Sequence, residues 1–235
     1  MSLNPSVIAE EAAYLVVYKP PNLHTAPLKR GGAEGGAPAG TLLDWCARRY
    51  PELLTVQGRQ PWEGGLLHRL DRETAGLVLA ARTQDAFASL AAQQEAGLVI
   101  KEYEAAAAAL PALELPPGFP PPPGNGGIPS IIESAFRPYG LGRKAVRPVL
   151  DRRGLYQTEI IGSAIEGEGR RFFLRLRRGF RHQIRSHLAW IGYPLLNDAL
   201  YGGPQAALPG GGIALKACGL LFSDPGTGAL RCFRA

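Results

Sequence analysis

The 235-residue chain has few cysteines, and their spacing forms no recognisable motif. Cys46, Cys218 and Cys232 lie far apart, and no CxxC pair is present. An odd number of widely separated cysteines predicts neither a disulfide framework nor a zinc ribbon. We therefore expect reduced thiols in a cytoplasmic protein.

Other absences exclude further classes of protein. The N-terminus has no basic segment followed by an apolar one, and no apolar run approaches the roughly 20 residues that span a bilayer. The motifs GxxxxGK[ST], HExxH and GxSxG are absent, as is a GxGxxG that opens a helix. His182 and His187 are five residues apart, whereas two histidines four apart would face one metal ion from a helix. The sequence therefore shows no evident cradle for a nucleotide cofactor and no helical pair of metal-binding histidines.

The order of apolar patterns and turn residues predicts an α+β fold. Because strands and helices alternate irregularly, a doubly wound parallel sheet is disfavoured. We predict strands at 13–19, 76–82, 99–110, 158–165, 170–179 and 215–222, and helices at 41–50, 83–97 and 181–192. Flexible loops are expected at 29–40 and 111–130. The second loop is so rich in proline and glycine that it could link two domains, but we expect residues 1–235 to form one domain.

Positive charge is concentrated in two stretches of a chain whose net charge is +6. Residues 170–185 contain seven arginines and no acid, and a second cluster comprises Arg137, Arg143, Lys144, Arg147, Arg152 and Arg153. Uncompensated arginines repel one another, and arginines interleaved with aromatic residues are typical of a nucleic-acid groove. The alternative is a solvated basic surface without a partner. We favour nucleic acid.

The stretch LLHRLDRETAGLVLAAR, residues 66–82, contains the most suggestive carboxylate. Asp71 lies in a predicted loop directly before an apolar strand, a position at which rigid scaffolds present functional side chains. From these residues alone, a salt bridge to Arg69 or Arg72 is the more common role. A catalytic carboxylate is the alternative.

Five segments, in order, resemble the RluA-type pseudouridine synthases. They are VVYKPPNLHTAP, HRLDRETAGLVLAAR, KEYEAAA, GFRHQIRSHLAWIGYPLLNDALYGG and ALKACGLLFSDP, so the resemblance runs from about residue 8 to 226. It implies a pseudouridine synthase catalytic fold, with a mixed, mostly antiparallel central sheet, flanking helices and loops, and an RNA-binding cleft across it. We expect no N-terminal S4 domain of the kind that many relatives carry.

The resemblance also implies an activity. Family members isomerise specific uridines to pseudouridine in structured RNA, here tRNA or ribosomal RNA, without a cofactor. We expect a monomer that needs no protein partner. The alternatives are a non-catalytic RNA-binding protein that retains the fold, and a hydrolase of small nucleosides.

The same resemblance assigns roles to individual residues. Asp71 matches the catalytic aspartate, Tyr103 the tyrosine that stacks on the flipped uracil, and Arg185 the arginine that keeps this aspartate ionised and oriented. Arg69 matches an arginine that enters the RNA stack as the base leaves it. The remaining expected RNA or substrate contacts are His68, Arg181, His182, Gln183 and Leu215. The chain departs from the family pattern at Ala75, Phe180 and Lys216.

Overall fold

The computed structural model describes residues 4–27, 40–109, 115–123, 127–151 and 153–235. In these ranges the chain forms ten β-strands and three α-helices. The strands are β1 (Ser6–Glu10), β2 (Tyr14–Lys19), β3 (Ala75–Ala81), β4 (Ile100–Ala108), β5 (Ile131–Tyr139), β6 (Ala145–Val149), β7 (Tyr156–Glu166), β8 (Gly169–Leu176), β9 (Leu215–Ser223) and β10 (Leu230–Arg234). The helices are α1 (Leu42–Ala47), α2 (Gln84–Glu95) and α3 (Gln183–Trp190).

The chain divides into two compact units. The first comprises Met1–Ile100, Pro209–Gly212 and Ala217–Ala235, and the second comprises Lys101–Leu208 and Ile213–Lys216. Each unit is built around its own strands.

The first unit contains the strand order β1-β2-β3-β9-β10. Neighbours β1–β2, β2–β3 and β9–β10 pair antiparallel. Every residue of β2 and β3 is buried, as expected of continuous apolar runs covered on both faces. Gly76 in β3 has a φ of 127°, and a Cβ there would overlap the carbonyl oxygen of Ala217. A glycine is therefore required where β3 passes β9.

A helix packs on this sheet and completes the core of the first unit. Helix α2 begins after Thr83, whose hydroxyl accepts a hydrogen bond of 3.2 Å from the amide of Ala86. The helix contributes Phe87 and Leu90 to an apolar core that includes Leu79 and residues of β2 and β9. The charged loop before β3 is thus attached to the most deeply buried part of this unit.

The second unit contains the strand order β4-β8-β7-β5-β6, and each neighbouring pair in this order is antiparallel. In β8, Phe172, Leu174 and Leu176 are buried while Phe173 is exposed, which is the alternation typical of a strand with one buried face. Helix α3 is buried along its whole length and packs against β6 and β7.

The α+β prediction is confirmed, and each predicted strand and helix overlaps an observed one. Strands β1, β5, β6 and β10 were not predicted. Residues 29–39 of the first expected loop lie outside the described residues, as do 111–114 and 124–126 of the second. The described part at 115–123 forms neither helix nor strand. That residues 1–235 form one domain stays a prediction. No helix in the described ranges is long and apolar enough to cross a membrane.

Candidate active site

Residues 68–74, here called the Asp71 loop, form the short segment before β3. This loop is anchored to the chain that precedes α1. Its backbone closes a turn in which the amide of Thr74 donates to the carbonyl oxygen of Asp71 at 3.1 Å. The buried hydroxyl of Thr25 donates to the carbonyl oxygen of Leu70 at 2.8 Å and accepts from the Leu70 amide at 3.1 Å. Thr25 therefore fixes the residue directly before Asp71.

A buried lysine anchors the other side of the loop. Lys19, the last residue of β2, is fully buried, and its Nζ donates to the carbonyl oxygens of Pro20, Leu23 and Arg72 at 3.0, 2.8 and 3.0 Å. Because Arg72 directly follows Asp71, the lysine fixes the residue after the carboxylate. The loop is thereby anchored on both sides of Asp71.

Burial and two neighbouring acids change the pKa of Lys19. Burial lowers the pKa of Lys19 to about 7, and the negative charges of Asp71 and Glu73 oppose part of that shift. This lysine therefore interacts electrostatically with the loop as well as through hydrogen bonds.

Arg69 and His68, which precede Asp71 in the sequence, contact other residues. Nη1 of Arg69 lies 3.1 Å from Oε1 of Glu63, and the arginine side chain stays 49% exposed. Nε2 of His68 accepts a hydrogen bond of 3.3 Å from the amide of Leu79, in β3. Arg69, one of the two partners considered for Asp71 from sequence, is thus paired with a different acid.

In the second unit, Arg185 forms a two-point ion pair with Asp198. Its Nε lies 2.7 Å from Oδ2 and its Nη2 lies 2.8 Å from Oδ1. Only 6% of the arginine side chain and 1% of the aspartate side chain are exposed. The guanidinium also lies over the ring of Tyr201, 5.4 Å from its centroid. The arginine is therefore held within its plane and from one face.

The other residues expected near the start of α3 hold that end of the helix. The side-chain oxygen of Gln183 accepts from the amide of Phe180 at 2.9 Å, and its nitrogen donates to the carbonyl oxygen of Gln157 at 2.8 Å. His182 has a φ of 55°, and its Nδ1 lies 3.3 Å from the hydroxyl of Tyr201.

Arg181 braces the turn between β5 and β6. It is exposed, and its Nη2 donates to the carbonyl oxygens of Arg143 and Ala145 at 2.9 and 3.2 Å. It precedes α3, whereas Arg185 is buried within the helix.

Tyr103 and Leu215 are both buried, each with 7% of its surface exposed. Tyr103 lies on β4, opposite Leu174 of β8. Leu215 is the first residue of β9 and belongs to the second unit. The second unit thus contains Tyr103, Arg181, His182, Gln183, Arg185 and Leu215, and the first contains His68, Arg69 and Asp71.

A buried histidine links α3 to the sheet of the second unit. Nε2 of His187 lies 2.9 Å from the hydroxyl of Ser134, and Nδ1 lies 2.8 Å from the hydroxyl of Thr158. Burial lowers the pKa of His187 to about 3. The imidazole is therefore neutral at ordinary pH and has a structural role.

The expectation that the arginine-rich run lacks compensating acids is wrong for at least three of its members, among them Arg185, which pairs with Asp198. Arg175 lies 2.9 Å from Glu102 of β4 and 3.6 Å from Glu159 of β7, on the two strands that flank β8. Nε of Arg171 donates to Glu166 at 2.9 Å. Acids outside the run, on neighbouring strands and in the segment after α3, thus neutralise part of it.

Three residues that hold the candidate site were not identified from the sequence. Lys19, Thr25 and Asp198 each lie in a segment that carries the family resemblance, but the neighbouring residues in the sequence do not indicate which groups they contact. Within the part of the chain that the structure describes, no group of three or more His, Cys, Asp or Glu side chains could hold a metal ion.

Sequence comparison identifies related proteins. The family model described as RNA pseudouridylate synthase matches residues 13–190. An uncharacterized RNA pseudouridine synthase of Chloroflexus aurantiacus is 34% identical over 173 residues, which cover 71% of this chain and 47% of that protein. The ribosomal large subunit pseudouridine synthase D of Yersinia pestis is 30% identical over 197 residues, covering 84% of this chain and 52% of that protein. The chain thus spans about half the length of these relatives.

Solved structures show the same fold. Human RNA pseudouridylate synthase domain containing 1 aligns with a TM-score of 0.63 at 18% identity, covering 100% of this chain and 85% of that one. Human RNA pseudouridylate synthase domain containing 4 aligns with a TM-score of 0.61 at 17% identity, covering 97% of this chain and 87% of that one.

Proposed function

Because the chain belongs to the RNA pseudouridylate synthase family, we propose that it isomerises uridine to pseudouridine within RNA. In this reaction the N1–C1′ bond breaks, the uracil rotates, and a C5–C1′ bond forms. C5 loses its proton to solvent and N1 gains one, so no atoms are lost overall and no oxidant or reductant is needed. The observation that carries the proposal is the family match across a segment that includes the doubly anchored Asp71 loop.

Asp71 is the nucleophile in this proposal. A carboxylate can attack an anomeric carbon and hold it covalently while the leaving group reorients. Such a step requires a side chain in a fixed position, because small displacements of a reacting group slow a reaction strongly. The anchors supplied by Thr25 and Lys19 support this role, since they restrain both neighbours of Asp71.

Two residues of the second unit complete the proposed chemistry. Tyr103 offers its ring to the extruded uracil, and Arg185 is the cation that orients the nucleophile. Gln183 and His182 position the arginine, since both hold the start of α3. Leu215 lines the base pocket.

The remaining site residues act on the RNA. Arg69 occupies the space in the RNA stack that the target base leaves, and its half-exposed side chain supports this role. His68 and Arg181 are further RNA contacts in this proposal. Exposed Arg177 and Arg178 contribute to electrostatic attraction of the backbone.

The substrate in this proposal is a structured RNA. Because several relatives are named for the ribosomal large subunit, ribosomal RNA is the first substrate to test, followed by tRNA. We propose that the protein acts as a monomer in the cytoplasm, without an obligatory protein partner.

The proposal is tested by the release of tritium from RNA that carries uridine labelled at C5. Wild-type protein is expected to release label, whereas Asp71→Asn and Asp71→Ala should slow the release by about 10³-fold or more. Asp85→Asn is the matched control, because Asp85 is an exposed acid at the start of α2 in the same unit. If the wild type releases no label from rRNA or tRNA of a deletion strain yet binds it, the protein is a non-catalytic RNA-binding protein.

A further inference from the structure

Arg185 and Asp198 form a buried ion pair with two separate hydrogen bonds, and this arrangement fixes the orientation of the arginine more than it stabilises the fold. Both oxygens of Asp198 are used, one for Nε and one for Nη2, and both side chains are almost completely buried. Taking two charges out of water is costly, and a buried ion pair is often no more stabilising than well-packed apolar residues. What a two-point pair does provide is a fixed orientation, because a planar guanidinium held at two nitrogens cannot rotate in its plane.

The carboxylate of Asp198 is itself held in place by its backbone. The Asp198 amide donates to the carbonyl oxygen of Leu195 at 3.1 Å, and its carbonyl oxygen accepts from the amides of Tyr201 and Gly203 at 3.0 and 2.9 Å. A Cβ at Gly203 would overlap the carbonyl oxygen of Leu195, so this close approach requires glycine. The loop therefore fixes the position of Asp198 before any contact with the arginine is considered.

The residue before Asp198 closes the same loop from its other side. Asn197 has a φ of 64°, and its side-chain amide donates to the carbonyl oxygen of Ala206 at 2.9 Å and accepts from the Ala206 amide at 2.6 Å. A non-glycine residue in the left-handed region is uncommon and persists where its surroundings compensate for the strain. Here the compensating contacts come from the asparagine side chain.

Tyr201 restrains the guanidinium in the remaining direction. Its ring lies beneath the arginine, and its hydroxyl donates to the carbonyl oxygen of Val146 at 3.0 Å and accepts from the Val146 amide at 2.9 Å. With Asp198 at one edge and Tyr201 at one face, Arg185 is restrained in and out of its plane. Nη1 lies on the opposite edge of the guanidinium from Asp198.

We propose that Asp198 is a positioning residue for the isomerisation: it holds the guanidinium of Arg185 in the orientation in which this arginine serves the reaction. The inference rests on the proposed function only in that Arg185 takes part in the chemistry. Asp198 touches neither substrate nor reacting atoms in this scheme, and it acts entirely through Arg185.

The first test replaces Asp198 and measures single-turnover pseudouridine formation, RNA affinity and thermal unfolding. D198N removes the charge and turns an amide group towards one N–H of the arginine, while D198E keeps the charge but moves it by one methylene. Both are expected to slow the reaction, D198N by about 10²-fold, with the RNA dissociation constant unchanged. The matched control is E166Q, which alters an exposed acid that pairs with the partly buried Arg171. Wild-type rates in both Asp198 variants would overturn the proposal.

A double-mutant cycle separates positioning from a general structural role. If Asp198 acts through Arg185, D198N should cost much less in an R185K background than in the wild type. A full and equal loss of rate in both backgrounds would mean that Asp198 acts independently of Arg185. This comparison does not depend on stability, because single-turnover rates are normalised to the folded fraction.

An NMR measurement keeps the inference testable even if the proposed function fails. The Nε–H signal of Arg185, assigned from its loss in R185K, should exchange slowly with solvent in the wild type and rapidly in D198N. If the wild type forms no pseudouridine but this protection depends on Asp198, the proposed function is wrong and the positioning of Arg185 stands. Equal protection in D198N and the wild type would overturn the positioning itself.

Discussion

The ammonium nitrogen of Lys19 lies 3.0 Å from the carbonyl oxygen of Arg72, the residue directly after Asp71. The two residues are 53 positions apart in the chain, and the lysine is fully buried at the end of β2. A strand in the core of the first unit therefore determines where the Asp71 loop lies. Because Thr25 anchors the residue before Asp71 in the same way, the position of the carboxylate is set by buried contacts.

Replacing Lys19 by methionine should destabilise the first unit and loosen the Asp71 loop. The substitution keeps an apolar stem but removes the donor to three carbonyl oxygens, and each buried group left unsatisfied costs about 1–3 kcal/mol. We expect the free energy of unfolding in urea to fall by about 3 kcal/mol or more. The amide of Thr74, which donates to the carbonyl of Asp71, should exchange faster with solvent.

The control for this change is Lys144→Met, because Lys144 is exposed. It should leave the urea midpoint and the exchange of Thr74 unaltered. A Lys19→Met protein with wild-type stability and exchange would show that the lysine does not anchor the loop.

Replacing Arg69 by alanine should slow the reaction on paired RNA more than on unpaired RNA. Extruding a base from a helix costs a few kcal/mol, so a side chain that fills the vacated space should contribute about tenfold or more in rate. A uridine in a flexible single strand needs no such help. The measurement is the ratio of single-turnover rates on a hairpin and on a matched unstructured RNA.

Stability provides a second readout for Arg69→Ala. Its partner Glu63 has a side chain that is only 9% exposed, so loss of the arginine should lower the free energy of unfolding by about 1–3 kcal/mol. The control is Arg48→Ala, which removes another exposed arginine from an ion pair, with Asp44. Equal slowing of Arg69→Ala on both RNAs would contradict a role in base extrusion.

Low pH should destabilise the protein, because buried His187 binds a proton more readily in the unfolded chain than in the folded protein. Burial lowers the pKa of His187 to about 3, below the value of 6.5 for an exposed histidine. Between these values the unfolded chain binds a proton that the folded protein does not, so stability falls as the pH decreases from 6.5 towards 3. At pH 5.5 this one group should already cost about 1.4 kcal/mol relative to pH 7.5.

The check on this prediction is urea denaturation at several pH values between 4.5 and 7.5, for the wild type and His187→Gln. The glutamine variant should be less stable at neutral pH, since it disturbs hydrogen bonds with Ser134 and Thr158. Its stability should nevertheless depend less on pH, because residue 187 no longer titrates. Identical slopes in both proteins would mean that other groups cause the acid sensitivity.

Local patterns in the sequence were sufficient for most of the secondary structure. The alternation in β8 and the start of α2 at Thr83 depend on neighbouring residues, so both could be predicted. Strand β5 was missed because its exposed residues and its proline interrupt the apolar pattern. The compensation of Arg175 could not be predicted, because it depends on strand register, which places Glu102 and Glu159 opposite the arginine.

The sequence by itself determined the family to which the chain belongs and its candidate residues Asp71, Tyr103 and Arg185. The reason is that the order and spacing of short segments are written in the chain. Only the tertiary structure decided how those residues are held, with Lys19 anchoring the Asp71 loop and Asp198 orienting Arg185. Such contacts are long-range or depend on a turn geometry that closes only when the chain has folded, because hydrogen bonds and ion pairs act over a few ångströms of space whatever the separation in sequence.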